Sequence, residues 1–151
     1  MRQIVALAFV ALALPAGALA QNSEEIDKAL AAAPARARDA TTVIKWKADN
    51  TYDTLKKGTN QLVCYDRSDL PGMQPFAVQC TSLGNLNRVA QNRKFEMIAD
   101  RAERKKQLDA AEAAGSRVKP EYGSVWLTMS GRFFTPCGTC WFCSAARVFT
   151  S

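Results

Sequence analysis

The pattern of apolar and polar residues changes sharply after the first twenty positions. Residues 1–3 supply a short basic start, residues 4–14 are an uninterrupted apolar run, and Pro15 and Gly17 interrupt that run. Residues 18–20 are Ala-Leu-Ala, which places small side chains where signal peptidase requires them. Because a transmembrane helix needs about 20 apolar residues, the run is too short for a membrane anchor. We therefore predict a signal peptide over residues 1–20, with cleavage before Gln21.

The next segment predicts a short helix followed by strand-forming sequence. Asn22 or Ser23 can cap a helix over residues 24–33, and Pro34 ends it. From Thr41 onward, the segment TTVIKWK is rich in β-branched and aromatic residues, which favour a strand.

Further strands are indicated by composition and by turn residues. The segment TYDTLKKGTNQLVCYD contains two candidate strands on either side of Lys57-Gly58-Thr59, which predicts a β-hairpin. The segments FAVQCTS and GSVWLTM have the same strand-forming character. We predict a small antiparallel sheet of about four strands.

Residues 85–114 have helical periodicity, and Gly115 and Pro120 follow as typical termination signals. Apolar side chains nevertheless lie on two nearly opposite sides of this helix, namely Leu86, Ala90, Met97 and Leu108 against Phe95, Ile98 and Ala102. We expect either a bend near residues 93–94 or a first half packed between two layers. The predicted fold class is α+β, with a short N-terminal helix, one long helix and the antiparallel sheet.

Length and charge predict one domain without a strongly charged surface. The leader contains one of the 20 Lys and Arg residues and none of the 14 acids, so the net charge of +6 becomes +5 after cleavage. Both signs are interspersed without a run of five like charges, which argues against nucleic-acid binding. Residues 21–131 can form a single core, and they contain no apolar stretch that could cross a membrane. We predict a single exported domain, periplasmic or extracellular, with no transmembrane segment after cleavage.

The chain contains no histidine, which limits the chemistry open to it. Catalysis by Ser-His-Asp or Cys-His arrangements is excluded, as are histidine-containing zinc sites. The glycines are too scattered for a phosphate-binding loop. Carboxylate pairs stay open in principle, but the acids belong mainly to helical charge patterns. We predict no catalytic residue, no cofactor and no metal site.

Cys64 and Cys80 fall in two predicted strands joined by a loop that contains proline and glycine. In an exported protein, this placement predicts a structural disulfide between them. Closing such a loop stabilises a small domain by about 3 kcal/mol on the chain-entropy account.

Three more cysteines, Cys137, Cys140 and Cys143, are evenly spaced near the end of the chain. Cys137 and Cys140 have the C-x-x-C spacing of thiol-disulfide oxidoreductases, but the surrounding sequence lacks the βαβ pattern that normally holds this motif. The run also begins like a ferredoxin cluster loop, although Arg147 stands where the fourth cysteine is required. Three thiolates leave a zinc site one ligand short.

Residues 132–151 differ in composition from the domain before them. They contain no acidic residue and are rich in aromatic residues and cysteine. We expect this cysteine-rich tail to have little regular order, and a shifted reading frame near Arg132 is one explanation for the change.

The segments LKKGTNQLVCYDRSDLPGMQPFAVQCTS, NLNRVAQNRKFE and GSVWLTMSG share features with a known group of sequences. The chain resembles a group of uncharacterised exported bacterial proteins with a Gly-Thr-x-x-x-x-Cys segment, a second cysteine after a proline-containing loop and a later strand ending in glycine. The resemblance covers residues 38–131. It implies export and a shared fold without an activity, and the tail departs from it.

The function predicted from the sequence is that of an exported, non-catalytic protein of unknown partner, either a binding protein or an envelope component. The alternative is a thiol-disulfide oxidoreductase that uses Cys137 and Cys140.

Overall fold

The computed structural model of the protein describes residues 16–132 and 147–150. The first fifteen residues of the predicted signal peptide lie outside the described residues, as do Cys137, Cys140 and Cys143. The elements in chain order are helix α1 (Ala16–Leu30), a 3₁₀ helix (Ala35–Ala40), strands β1 (Thr42–Trp46), β2 (Tyr52–Lys56), β3 (Leu62–Asp66) and β4 (Phe76–Ser82), a short 3₁₀ turn (Leu83–Asn85), helices α2 (Leu86–Glu96) and α3 (Arg101–Ala113), and strands β5 (Val125–Gly131) and β6 (Arg147–Thr150).

The strands form one sheet in the order β2-β1-β3-β4-β5-β6. Four of the neighbouring pairs are antiparallel, and β1 and β3 are parallel. The α+β class predicted from the sequence is confirmed. The sheet has six strands rather than about four. One of the additional strands is β6, which lies within the segment predicted to be a tail and pairs with β5 from Val125↔Thr150 to Thr128↔Arg147.

The predicted hairpin around Gly58 is wrong, because β1 lies between β2 and β3. The hairpin joins β1 and β2 instead, and its turn places Asn50 at a positive φ of 62°, which asparagine tolerates better than most residues. The segment after β2 then crosses the beginning of β1. At this crossing Gly58 approaches the backbone closely: a Cβ atom there would lie 2.2 Å from the carbonyl oxygen of Ala40. The glycine serves a crossover and not a hairpin turn.

Helix α1 covers one face of the sheet. Its C-terminal half and the residues that follow it bury Ala29, Leu30 and Ala33 against β1, β3 and β4. The helix begins and ends earlier than the predicted span of 24–33. The chain leaves it in a turn closed by a hydrogen bond from the Ala31 N–H to the Lys28 carbonyl.

Helix α2 lies on the opposite face, where Val89 packs with Ile44, Val63 and Tyr65. The single long helix predicted over residues 85–114 is in fact two helices, and the break lies at residues 97–100 rather than at a bend near 93–94. The break ends at Asp100, whose backbone is extended and whose carboxylate accepts a hydrogen bond of 2.7 Å from the Glu103 N–H as the N-cap of α3. The two apolar sides are already present within α2, where Leu86 packs against the sheet and Phe95 lies against Arg117.

Within the described part of the chain, none of the helices combines the length and apolar character needed to cross a membrane.

Candidate functional site

The parallel contact between β1 and β3 is short. Only Thr42↔Val63 and Val43↔Cys64 are paired, although both strands continue beyond these positions. The carboxyl ends of the two strands are therefore not paired with each other. In open sheets that contain parallel strands, a crevice at the carboxyl ends of neighbouring strands is the common place for a ligand.

A cleft of about 140 Å³ opens at these strand ends. Side chains from α1, β1, β2 and the end of β3 line it. Its apolar lining is Ala29, Ile44, Trp46 and Leu55, and its charged lining is Glu25, Lys45, Asp66 and Asp69. An apolar lining with a few charged groups is the composition typical of small-molecule sites.

Every carboxylate of the cleft is held by a cation. The pairs are Lys28 with Asp66, Lys45 with Glu25 and Arg93 with Asp69. The Lys45–Glu25 pair is 2.6 Å long and joins β1 to α1, and its side chains are about half exposed. Such an exposed pair contributes at most about 1 kcal/mol to stability. These ion pairs hold the charged side chains in place around the cleft, and their contribution to the stability of the fold is small.

Arg93 of α2 is the most enclosed of these cations, with only 3% of its surface exposed. Its two terminal nitrogens donate to the two carboxylate oxygens of Asp69, and its guanidinium carbon lies 5.3 Å from the centre of the Trp46 ring. A guanidinium at this distance from an aromatic ring is held by a cation–π interaction. Arg93 therefore fixes both Trp46 and Asp69, two lining residues that come from different elements.

Trp46 also contacts two tyrosines edge to face, Tyr52 at 5.4 Å and Tyr65 at 5.8 Å between ring centres. Its indole nitrogen is buried and has no hydrogen-bond partner among the described residues. Trp46 is thus oriented by its aromatic and cationic neighbours and by packing against the core cluster of Ile44, Val63, Tyr65 and Val89.

Tyr65 extends this cluster into the centre of the sheet. Its hydroxyl donates a hydrogen bond of 2.8 Å to the side-chain oxygen of Gln79, whose amide nitrogen in turn donates to the Thr128 hydroxyl at 3.1 Å. These three residues are direct neighbours across β3, β4 and β5. Complete burial raises the pKa of Tyr65 far above its ordinary value, because the phenolate would lose its hydration.

The raised pKa of Tyr65 predicts a loss of stability in alkali. The unfolded chain releases the phenol proton near pH 10 whereas the folded chain retains it, so the contribution of Tyr65 is fully present below pH ~10 and decreases as the pH rises above that value. The expected slope is about 1.4 kcal/mol per pH unit. Urea unfolding of the wild type and of Tyr65→Phe between neutral and alkaline pH measures it. The difference between the two proteins should change with pH, and a constant difference would contradict the buried phenol.

The structure joins Cys64 and Cys80 by a disulfide, as the sequence predicts. The two residues face each other directly across β3 and β4, and both are fully buried beneath α1. The Cys80 sulfur lies 3.9 Å from the carbonyl oxygen of Ala29, which lines the cleft. The disulfide therefore packs directly behind Ala29, on the α1 side of the cleft.

The remaining candidate site residues from the sequence are the cysteines near the end of the chain. Cys137 and Cys140, the alternative redox pair, lie outside the described residues. Within residues 16–132 and 147–150, no group of His, Cys, Asp or Glu side chains is arranged to hold a metal ion. Sequence reasoning missed the cleft entirely, and its one available signal was Trp46, an aromatic residue at the end of a predicted strand.

No protein-family model, no curated protein and no solved structure matches this chain significantly.

Proposed function

We propose that this protein is an exported, non-catalytic binding protein whose ligand occupies the cleft between the carboxyl ends of β1 and β3. The cleft itself carries this proposal: about 140 Å³ of space, an apolar lining and fixed charges at its edge. This volume is below the roughly 300–1,000 Å³ of pockets for drug-sized ligands, so it suits a very small molecule or one group of a larger one.

Binding fits the cleft better than catalysis does. A general acid or base must be free to reach a proton of the substrate, whereas Asp66 and Asp69 are each held in an ion pair, by Lys28 and by Arg93. The chain also has no histidine that could act beside them. The two carboxylates are suited to a fixed position.

Export is supported by the leader-like first twenty residues and by the disulfide. A disulfide within the core is consistent with an oxidising compartment, because cytosolic proteins rarely retain one. The resemblance to exported bacterial proteins is consistent with export. A location in the cell envelope is consistent with the leader and with the disulfide.

Filling the cleft should abolish binding. Leu55 is a half-buried lining residue of the edge strand β2, so tryptophan there should occupy the cleft and leave the core in place. Screening fragment-sized compounds by two-dimensional NMR should give ligands that shift the amide signals of Ala29 and Lys45. The Leu55→Trp variant should bind these ligands at least about tenfold more weakly.

The matched control is Thr54→Trp, which adds the same side chain at the exposed neighbouring position outside the cleft lining. This variant should bind the fragments as the wild type does. Fragments that bind only at other surfaces, or that bind Leu55→Trp unchanged, would refute the cleft as the binding site.

A further inference from the structure

We propose that the ligand of the cleft is an amphipathic cation, a primary amine on a short apolar chain. This inference rests on the proposed function, because it specifies the chemistry of the molecule that the cleft takes.

In two of the three ion pairs, the carboxylate is the more exposed partner. The side chain of Asp66 is 42% exposed and that of Lys28 is 23% exposed. The difference is larger for Asp69, at 55% against 4% for Arg93. A ligand that enters the cleft therefore meets the carboxylates, and these two cations lie behind them.

Both enclosed cations are already engaged by further groups. The Lys28 ammonium also donates to the Ser68 hydroxyl at 3.0 Å, and the Arg93 guanidinium lies over the Trp46 ring. The Arg93 Nε–H has no hydrogen-bond partner among the described residues, but it is buried, and neither Lys28 nor Arg93 lines the cleft. Lys45, the remaining cation of the lining, is held by Glu25 at 2.6 Å.

The carboxylates keep unused acceptor capacity. Each ionised carboxylate has about four lone-pair positions. Asp66 accepts from Lys28 through one oxygen and from the Ser68 N–H through the other. Within residues 16–132 and 147–150, Asp69 accepts hydrogen bonds from Arg93 alone. An ammonium group offers three N–H donors, and its hydrogen bonds to carboxylates are charge-assisted.

The apolar lining accounts for the remainder of the ligand. Ala29, Ile44 and Leu55 offer only hydrocarbon to a molecule in the cleft, which suits a short alkyl chain. A small inorganic cation would leave this apolar surface uncovered, and an alkyl anion would place its charge beside Asp66 and Asp69. An alkylamine can place its ammonium group against the carboxylates and its alkyl chain against the apolar lining.

Three probes of similar shape test the assignment: n-butylamine, 1-butanol and butyrate, titrated into the mature protein at neutral pH and followed by the amide signals of Ala29 and Lys45. The amine should bind about tenfold more tightly than the alcohol, because charge-assisted hydrogen bonds are stronger than neutral ones. Added salt should weaken binding of the amine and leave binding of the alcohol unchanged, since the carboxylates are partly exposed and salt screens their charge.

Two substitutions identify the carboxylates. Asp66→Asn should reduce amine affinity to near that of the alcohol, and Asp69→Asn, which removes the charge of the more exposed of the two carboxylates, should do the same and provides a second variant if Asp66→Asn folds poorly. Asp109→Asn on α3 is the matched control, because this exposed carboxylate is also paired with a lysine but lies outside the cleft. It should bind the amine as the wild type does.

The outcomes separate the two proposals. Equal or tighter binding of the alcohol or of butyrate in the cleft would overturn the amine assignment and leave the binding function standing. Absence of any shift at Ala29 and Lys45 with all three probes and with the fragment collection would overturn both.

Discussion

Replacing Cys64 by serine should lower the melting temperature of the mature protein by about 10 °C or more. Two effects combine in this variant. Removing the bridge between Cys64 and Cys80, which are 16 residues apart, restores conformational freedom to the unfolded chain, and the loss of such a bridge costs about 2 to 5 kcal/mol. A serine hydroxyl also enters a position with no exposed surface, where an unsatisfied polar group costs about 1 to 3 kcal/mol.

Calorimetry with and without reductant separates these effects. The wild type should melt at a lower temperature once a reductant has opened the bridge in the unfolded state, and the variant should be insensitive to reductant. The double variant Cys64→Ala with Cys80→Ala removes the bridge without adding a hydroxyl, so it should melt between the wild type and Cys64→Ser. If Cys64→Ser melted at the wild-type temperature, the bridge would contribute nothing to stability.

The disulfide and most of the strands could be predicted because their signals are local. Segments such as FAVQCTS carry aromatic and β-branched residues, and β4 occupies that same stretch of the chain. The pairing of the strands could not be predicted in the same way, because it depends on which surfaces are buried together. The turn at Gly58 has the composition of a hairpin, yet it carries the chain past β1, and β3 pairs with β1 in parallel.

The helical region shows a second limit. Residues 97–100 carry no proline or glycine, so composition gave no reason to interrupt a helix there. Asp100 is compatible with a helix interior and with an N-cap, and tertiary packing decides between them. The apolar residues on two opposite sides did not locate the break, because Leu86 and Phe95 already lie on opposite sides within α2.

The cleft could not be predicted because its residues are distant in sequence. Glu25, Trp46 and Asp69 belong to three different parts of the chain, and the order of the strands together with the packing of α1 on the sheet brings them together. Arg93, which holds two of the lining residues, was less predictable still. It lies in a strongly charged helical segment, where an arginine is usually solvated, but here it is buried over Trp46.

Asn85 anchors the helix that carries Arg93. It immediately precedes α2 and has no exposed surface. Its amide nitrogen donates to the hydroxyls of Thr81 at 2.8 Å and Ser124 at 2.9 Å, and its oxygen accepts from the Glu121 N–H at 2.8 Å. One side chain therefore connects the beginning of α2 to β4 and to the turn before β5.

Replacing Asn85 by alanine should lower the free energy of unfolding by about 2 to 4 kcal/mol. The substitution removes three hydrogen bonds, two of them buried, and takes away the Asn85 partner of the Glu121 N–H and of the Ser124 hydroxyl. Urea unfolding followed by circular dichroism measures the change, and the slope of the transition should stay constant because the folded state remains compact.

The matched control for this prediction is Asn87→Ala, the same chemical change at an exposed position two residues further along the chain. It should alter stability by no more than about 0.5 kcal/mol. Because Asn85 fixes the start of α2, Asn85→Ala should also loosen Arg93 against Trp46 and broaden the NMR signal of the Trp46 indole N–H. Equal stabilities for the two variants would mean that the buried amide network does not hold α2 to the sheet, and that the packing of Val89 and Arg93 alone positions the helix behind the cleft.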